Sequence, residues 1–323
     1  MKMGKAFQGG AIKRHTILGA GGAIGVSLAN ELLAHNQKVK LMSRSGFSMP
    51  GATSVKGDLT SLGDTLRAVE GSDVVYLCAG LPYRYEIWKE RWPRIMNHVI
   101  EACYKEDSLL IFFDNVYMYG RVEGKMTEQT PYNPCSKKGE IRATIARQLE
   151  SEMSKVSMRA IIGRASDLYG PYSVQSSLLY LLMIKNLRKG KKAQWMGSLT
   201  QPHSFTYTLD CAKALRQLAD DPRACNQVWH LPTFSPGPTG EEWVQLLSSQ
   251  INVDPRTMLV PKWVLKTMGY FDITLTEVYE LVFQQEMDYH FDSTKFNTFF
   301  NFEPTSYEKG IRETIAYLDQ IKQ

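Results

Sequence analysis

Between Arg14 and Arg44 the chain reads RHTILGAGGAIGVSLANELLAHNQKVKLMSR, and few folds accommodate that stretch. Thr16-Ile17-Leu18 is a short apolar run that ends on a glycine cluster. Ala23 to His35 carries a helical pattern. Val39 to Met42 is a second apolar run, and it stops at Ser43-Arg44. Strand, glycine turn, helix and strand make one βαβ unit. Gly19, Gly22 and Gly25 are spaced G-x-x-G-x-x-G, with Gly21 extra. The first glycine permits a tight turn, the middle ones let backbone approach a pyrophosphate, and the last lets helix and sheet pack closely. The helix start, through Ala23 and Ile24, adds partial positive charge beneath the phosphates. Bounded by a strand and a helix, this turn predicts dinucleotide binding.

The end of the second strand bears on which dinucleotide. An acid about 20 positions beyond the glycines holds the ribose hydroxyls of NAD in this kind of unit. Here Ser43-Arg44 stands there. A serine hydroxyl and a guanidinium suit a 2′-phosphate, so NADP is the expected cofactor, with NAD possible. Alternatively, Arg44 is a solvated charge or stacks on adenine.

Further apolar runs follow at Thr53–Val55, Asp73–Cys78, Leu109–Phe113 and Met158–Ile162, with helical patterns between them. Such alternation predicts an α/β fold with a doubly wound, Rossmann-type parallel sheet, whose ligands bind outside the carboxyl ends of the strands. Those ends are Gly19, Ser43, Asp58, Ala79-Gly80 and Asp114-Asn115. Asp58-Leu59 suits an adenine contact, or Asp58 starts the next helix. Trp88 and Trp92 are helical neighbours that face the core or line a pocket, and Tyr83 and Tyr85 are open to a site role. After residue 167 the pattern loosens. Helical segments are expected over 178–187, 209–218, 241–249, 262–268, 275–283 and 307–321. The domain reading is 11–167 for the dinucleotide unit, with 206–231 returning to it. Segments 168–205 and 232–323 form a smaller, mostly helical substrate unit.

Composition narrows the function classes. Lys and Arg number 38 against 33 acids, a net charge of +5 that suits an anionic ligand such as a nucleotide but is by itself no nucleic-acid signature, so a nucleic-acid partner is not expected. Five scattered cysteines without CxxC spacing point to reduced thiols in a cytoplasmic setting. The six histidines show no ligand spacing, so no metal is expected. No apolar run reaches membrane-spanning length, and the first ten residues read as a loose tail rather than a signal peptide.

At this point the residues resemble a known family, the extended short-chain dehydrogenases/reductases of the sugar-nucleotide epimerase/dehydratase type. GAGGAIG is similar to the family's glycine turn, Asp58-Leu59 to its adenine-side acid, and Met118-Tyr119-Gly120 to its "vYG" after strand five. Arg164 to Pro171 resembles "R-x-x-N-x-Y-G-P", with Asp167 where Asn is usual. HSFTYTLD from His203, and the closing FDSTKFNTFFNFEPTSYEKGI, resemble later family segments. The likeness runs over nearly the whole chain. It implies a nucleotide cofactor, a small-molecule substrate contacted by Tyr83, Asn115, Asp167 and His203, cofactor contacts from Arg142 and Arg164, and a homodimer through the helices after strands four and five.

The departures lie in the catalytic set. The family uses Ser or Thr after strand five and Tyr-x-x-x-Lys on the next helix. The corresponding positions here are Asn115, Lys138 and Arg142. The i,i+4 spacing survives, so both long side chains are expected to face the cleft; alternatively they are an exposed basic face beside Lys137. Lys138, desolvated beside Arg142, is one candidate proton shuttle, and Tyr117, Tyr119, Asp114 or Tyr83 are others. Three functions remain in play: an NAD(P)-linked enzyme on a sugar nucleotide or related hydroxy or keto compound, a non-catalytic NADP(H) sensor or partner-binding protein, and an RNA-associated family member.

Overall fold

A computed structural model describes residues 12–155, 158–174, 176–261, 263–264, 267, 276–277 and 279–321. The expected amino-terminal tail and most of the helical segment expected over 262–268 fall outside the described residues, as do residues 275 and 278 of the one expected over 275–283; its end is part of a 3-10 helix, Val282–Glu286.

Seven parallel strands form the main sheet. They are β1 (Arg14–Leu18), β2 (Lys38–Ser43), β3 (Ala52–Lys56), β4 (Val74–Leu77), β5 (Leu109–Asp114), β7 (Ala160–Arg164) and β11 (Val228–His230), in the order β11-β7-β5-β4-β1-β2-β3. Order reverses beside β1, which makes that point the switch where a crevice opens. The two ends of the sheet differ as the sequence does. β4 and β7 are buried at every residue, as runs of Val, Ile and Leu require when both faces are covered. β3, with Thr53, Ser54 and Lys56, is an exposed edge.

Alternation within each strand sends neighbours to opposite layers. Ile17, Leu41, Tyr76, Ile111 and Ile161 pack under α1 (Ala23–Ala34) and α6 (Thr208–Asp220). Leu18, Val75, Leu77, Leu110 and Phe112 pack under α3 (Tyr85–Glu106) and α4 (Lys137–Met153), beside α2 (Leu62–Val69). Trp88 and Trp92 belong to this second layer and are buried, so the core reading of the tryptophans is the one realised. α6 packs on α1, and β11 pairs with β7.

A second set of elements lies outside the main sheet. It holds three two-stranded parallel ladders: β6 (Lys125–Met126) with β13 (His290–Phe291), β8 (Asp167–Tyr169) with β10 (Phe205–Tyr207), and β9 (Ala193–Met196) with β12 (Thr257–Val260). A π-helical stretch, Leu179–Ile184, runs into the short α5 (Lys185–Leu187). Its core sets Tyr169, Trp195, Phe205 and Trp243 of α7 (Gly240–Ile251) against Tyr307 and Ile311. Among the described residues no helix is long and apolar enough to cross a membrane.

Candidate nucleotide site and its altered catalytic helix

Four strand ends meet in one cavity of about 620 Å³. The β1–α1 turn contributes Gly19, Gly21 and Gly22, and the end of β2 contributes Met42 to Ser45. The end of β3 gives Gly57 to Thr60, the end of β4 gives Ala79 to Leu81, and α3 adds Arg91 and Ile95. The first four ends on the expected list therefore converge. Ala23, Ile24 and Gly25 form the first turn of α1 directly beneath.

The turn is shaped by its glycines. Gly19 has φ of +91°, and a Cβ on it would lie 2.5 Å from Ala79 Cα, so only glycine lets β1 and β4 approach here. A Cβ on Gly25 would meet the carbonyl oxygens of Ala20 and Gly19 at 2.7 Å, which is the close helix–turn packing expected of the third glycine. The helix starts differ too. Ser61, Ser136 and Thr239 cap α2, α4 and α7 with side-chain oxygens. α1 starts at Gly22 with no side-chain cap, which leaves first-turn amides directed at the cavity for an anion.

The adenosine side carries charge. Arg44 and Ser45 are exposed on the loop after β2, and Ser43 Oγ accepts the Phe47 amide at 2.7 Å, which shapes that loop. Asp58 accepts the amide and hydroxyl of Thr60, both at 2.8 Å. Burial works to raise the Asp58 carboxyl, but the Thr60 hydrogen bonds and then the charges of Arg44 and Arg91 outweigh it and hold the group below its ordinary value. A dinucleotide fits this donor set: open amides at one end, arginines at the other, and backbone cleared of side chains between.

The fifth strand end is built for something else. Asp114 is fully buried between two guanidiniums, accepting from Arg142 Nε at 2.8 Å and facing Arg164 Nε at 3.6 Å. Arg142 also stacks over Trp92 at 4.6 Å and Phe112 at 5.0 Å. Arg164 donates to Tyr119 Oη at 2.8 Å and to Tyr132. Neither arginine is among the residues lining the cavity. The acid at 114 draws both inward, because an unpaired carboxylate in the core is more costly than a paired one. Asn115 bends the chain, its Oδ1 accepting the Tyr117 amide at 3.2 Å.

Lys138 and Arg142 do not share a cleft face as two neighbouring cations. Lys138 is fully buried, and its ammonium donates to Glu280 at 2.8 Å and to Glu277. The same two carboxylates accept the amides of Tyr85, at 2.8 Å, and Lys137, at 3.2 Å, the first residues of α3 and α4. Each cation thus has its own acid. Glu277 and Glu280 were not foreseen in the sequence, since they arrive from some 140 residues away with no motif around them. Arg91 was also missed; the Trp88–Trp92 pair that fixes the helix face was the available signal.

Above Lys138 lie the phenols. Tyr117 is buried and shares a hydrogen bond with Tyr83, whose ring is partly exposed and sits 5.8 Å from the Lys138 ammonium. Burial, then the neighbouring Tyr83 and Asp167, push the Tyr117 phenol well above its ordinary value. Asp167 opens β8 and His203 lies just before its partner strand β10; the two meet at 2.8 Å, and the His203 ring stacks on Tyr289 at 4.2 Å. Among the described residues no group of His, Cys, Asp and Glu is arranged to hold a metal.

The family model for the NAD-dependent epimerase/dehydratase family matches residues 15–231. The chain belongs to that family. Among curated relatives of this epimerase/dehydratase chain, an uncharacterized UDP-glucose epimerase of Bacillus subtilis is 25% identical over 219 residues, 65% of this chain and 66% of that one. The human sterol-4-alpha-carboxylate 3-dehydrogenase, decarboxylating, is 25% identical over 268 residues, 78% of this chain and 70% of that one. The fold is that of dTDP-glucose 4,6-dehydratase from Bacillus anthracis, solved with NAD, at a TM-score of 0.79 and 18% identity, covering 96% of this chain and 97% of that one. UDP-glucose 4-epimerase from Thermus thermophilus, also with NAD, superposes with a TM-score of 0.76 at 16% identity, over 95% and 99% of the two chains.

Proposed function

We propose that this family member binds NADP(H) in the four-strand cavity and catalyses oxidoreduction, epimerisation or dehydration of a sugar nucleotide or related hydroxy or keto compound. The observation that carries the cofactor half is the cavity itself: uncapped α1 amides and glycine backbone at one end, Ser43, Arg44 and Ser45 at the other. Relatives solved with NAD support a nicotinamide cofactor, and Arg44 favours the phosphorylated form. Bound there, a nicotinamide supplies or takes up a hydride. The substrate enters between the carboxyl ends of the strands and the segments 168–205 and 232–323, beside Asp167 and His203. A homodimer through α3 and α4 and a cytoplasmic setting accompany this reading; light scattering at twice 36.7 kDa tests the first.

The missing Tyr-x-x-x-Lys pair leaves the proton to another group. Tyr117 is the better placed donor. Its phenol stays protonated across physiological pH, so it gives a proton to a developing alkoxide rather than taking one, and its hydroxyl is hydrogen-bonded to that of Tyr83, a side chain that is partly exposed. Lys138 then serves as scaffold for the Glu277 and Glu280 contacts. Turnover by wild type, Tyr117→Phe and Lys138→Met against a panel of sugar nucleotides and small ketones decides between them. Loss of turnover in Tyr117→Phe alone, with cofactor binding intact, is the expected result; loss in Lys138→Met alone would return the role to the lysine. A second reading, a non-catalytic NADP(H) sensor, is favoured by the pairing of Lys138 and Arg142 with internal acids. Tight NADPH binding with no turnover by wild type on the whole panel would select it.

A further inference from the structure

Arg91 lies between Trp88 and Trp92 on α3, and burial of the two tryptophans fixes the rotation of the helix. That rotation turns Arg91, with Ile95 one turn on, into the nucleotide cavity. Among the described residues four arginines are half-buried: Arg91, Arg159, Arg188 and Arg216. Three of them pair with an acid, Arg159 with Asp107 at 3.4 Å, Arg216 with Glu31 at 2.8 Å, and Arg188 with Asp319. Arg91 has no hydrogen-bond or ion-pair partner among the described residues, and a half-buried guanidinium without a counter-ion is costly. Arg44, across the cavity on the β2 loop, is likewise unpaired. The charges of both act on Asp58, whose carboxylate is already engaged by Thr60. Two free guanidiniums, one on a loop and one on a rigid helix, therefore bracket the adenosine end.

We propose that Arg91 and Arg44 form a two-armed clamp on the ribose 2′-phosphate of NADP(H), and that Arg91 is a determinant of cofactor choice. The inference rests on the NADP reading above and deepens it. A terminal phosphate carries close to two negative charges and three acceptor oxygens, which match two guanidiniums. The pyrophosphate has its own donors at the glycine turn and the α1 start, at the other end of the cavity. An arginine held by a helix also loses less freedom on binding than one on an exposed loop.

The test titrates the full chain, wild type and Arg91→Met, with NADPH, NADH, 2′,5′-ADP and 5′-AMP, with melting curves as the control for folding. Affinity of the variant for NADPH and 2′,5′-ADP is expected to fall by about tenfold to a hundredfold, the scale of a lost charge-assisted hydrogen bond, while NADH and 5′-AMP change by less than about threefold. Arg91→Lys is expected to recover part of the loss, and Arg91→Gln replaces the methionine variant if the latter folds poorly. Equal losses for phosphorylated and unphosphorylated ligands would overturn the clamp and place Arg91 on the pyrophosphate or adenine. No loss for any ligand would overturn it as well. A wild type that binds NADH as tightly as NADPH removes the NADP reading itself, whereas a wild-type NADPH preference that survives in Arg91→Met removes only the clamp.

Discussion

Gly22 and Gly25 sit three residues apart in one turn, yet the structure gives them opposite reasons for being glycine. A Cβ on Gly22 meets nothing closer than Gly19 O at 3.5 Å, so the protein interior tolerates a side chain there. Gly22→Val should therefore melt normally while its branched side chain fills the space over the α1 amides and removes binding of either cofactor. Gly25→Ala should do the reverse. Its Cβ contacts two carbonyl oxygens at 2.7 Å, and the backbone shift that relieves them should cost about 1–3 kcal/mol, the usual scale of overpacking. Thermal denaturation and fluorescence titration of the pair separate the two effects; retained binding in a well-folded Gly22→Val would exclude the glycine-turn site. The same contrast explains what was legible in the sequence. Glycine spacing, strand ends and Ser43-Arg44 are local features, and a period of two or 3.6 exposes them. The spacing also gives the roles of Gly22 and Gly25; the atoms that enforce them, the Ala20 and Gly19 carbonyls around Gly25 and the Gly19 carbonyl nearest Gly22, depend on how the turn folds.

At the scale of elements, α4 shows where local reading stops. Its i,i+4 basic pair follows from KKGEIRATIARQLESEM, and the helix keeps that spacing. The destinations of Lys138 and Arg142 do not follow, because the deciding acids are Asp114 on β5 and Glu277 and Glu280 from the distant carboxyl-terminal half. Lys138→Met leaves those two glutamates facing each other and two helix starts without the ammonium. Breaking a buried pair costs about 3–5 kcal/mol, and the lower end applies since both acids keep some solvent contact. Adding Glu277→Gln and Glu280→Gln to Lys138→Met should restore part of that loss, which a mutant cycle in urea reads as coupling. Purely additive losses would mean that the ion pairs contribute nothing of their own. Cofactor affinity should stay unchanged throughout, because none of the three residues lines the cavity.

For the whole molecule, two buried histidines set the response to acid. Burial lowers His15 to about 4 and His230 to about 3, and His230 is fixed neutral between Tyr119 Oη and the Asp292 carbonyl, each at 2.8 Å. Unfolded, both titrate near ~6.5. Below that value the unfolded chain binds more protons than the folded one, so stability falls as pH falls, by up to about 1.4 kcal/mol per group per pH unit until the folded values are reached. Urea midpoints should therefore drop between pH 6.5 and 4, and His15→Gln should flatten the slope; a midpoint independent of pH across that window would refute the buried neutral pair. The nucleotide cavity carries the functional claim, and one titration addresses it. Wild type and Arg44→Ala are titrated with NADPH and NADH by fluorescence. The account predicts that wild type binds NADPH the more tightly, and that Arg44→Ala loses about 1.5–3 kcal/mol for NADPH and little for NADH. Binding of neither cofactor by wild type, or equal losses for the two in Arg44→Ala, would contradict it.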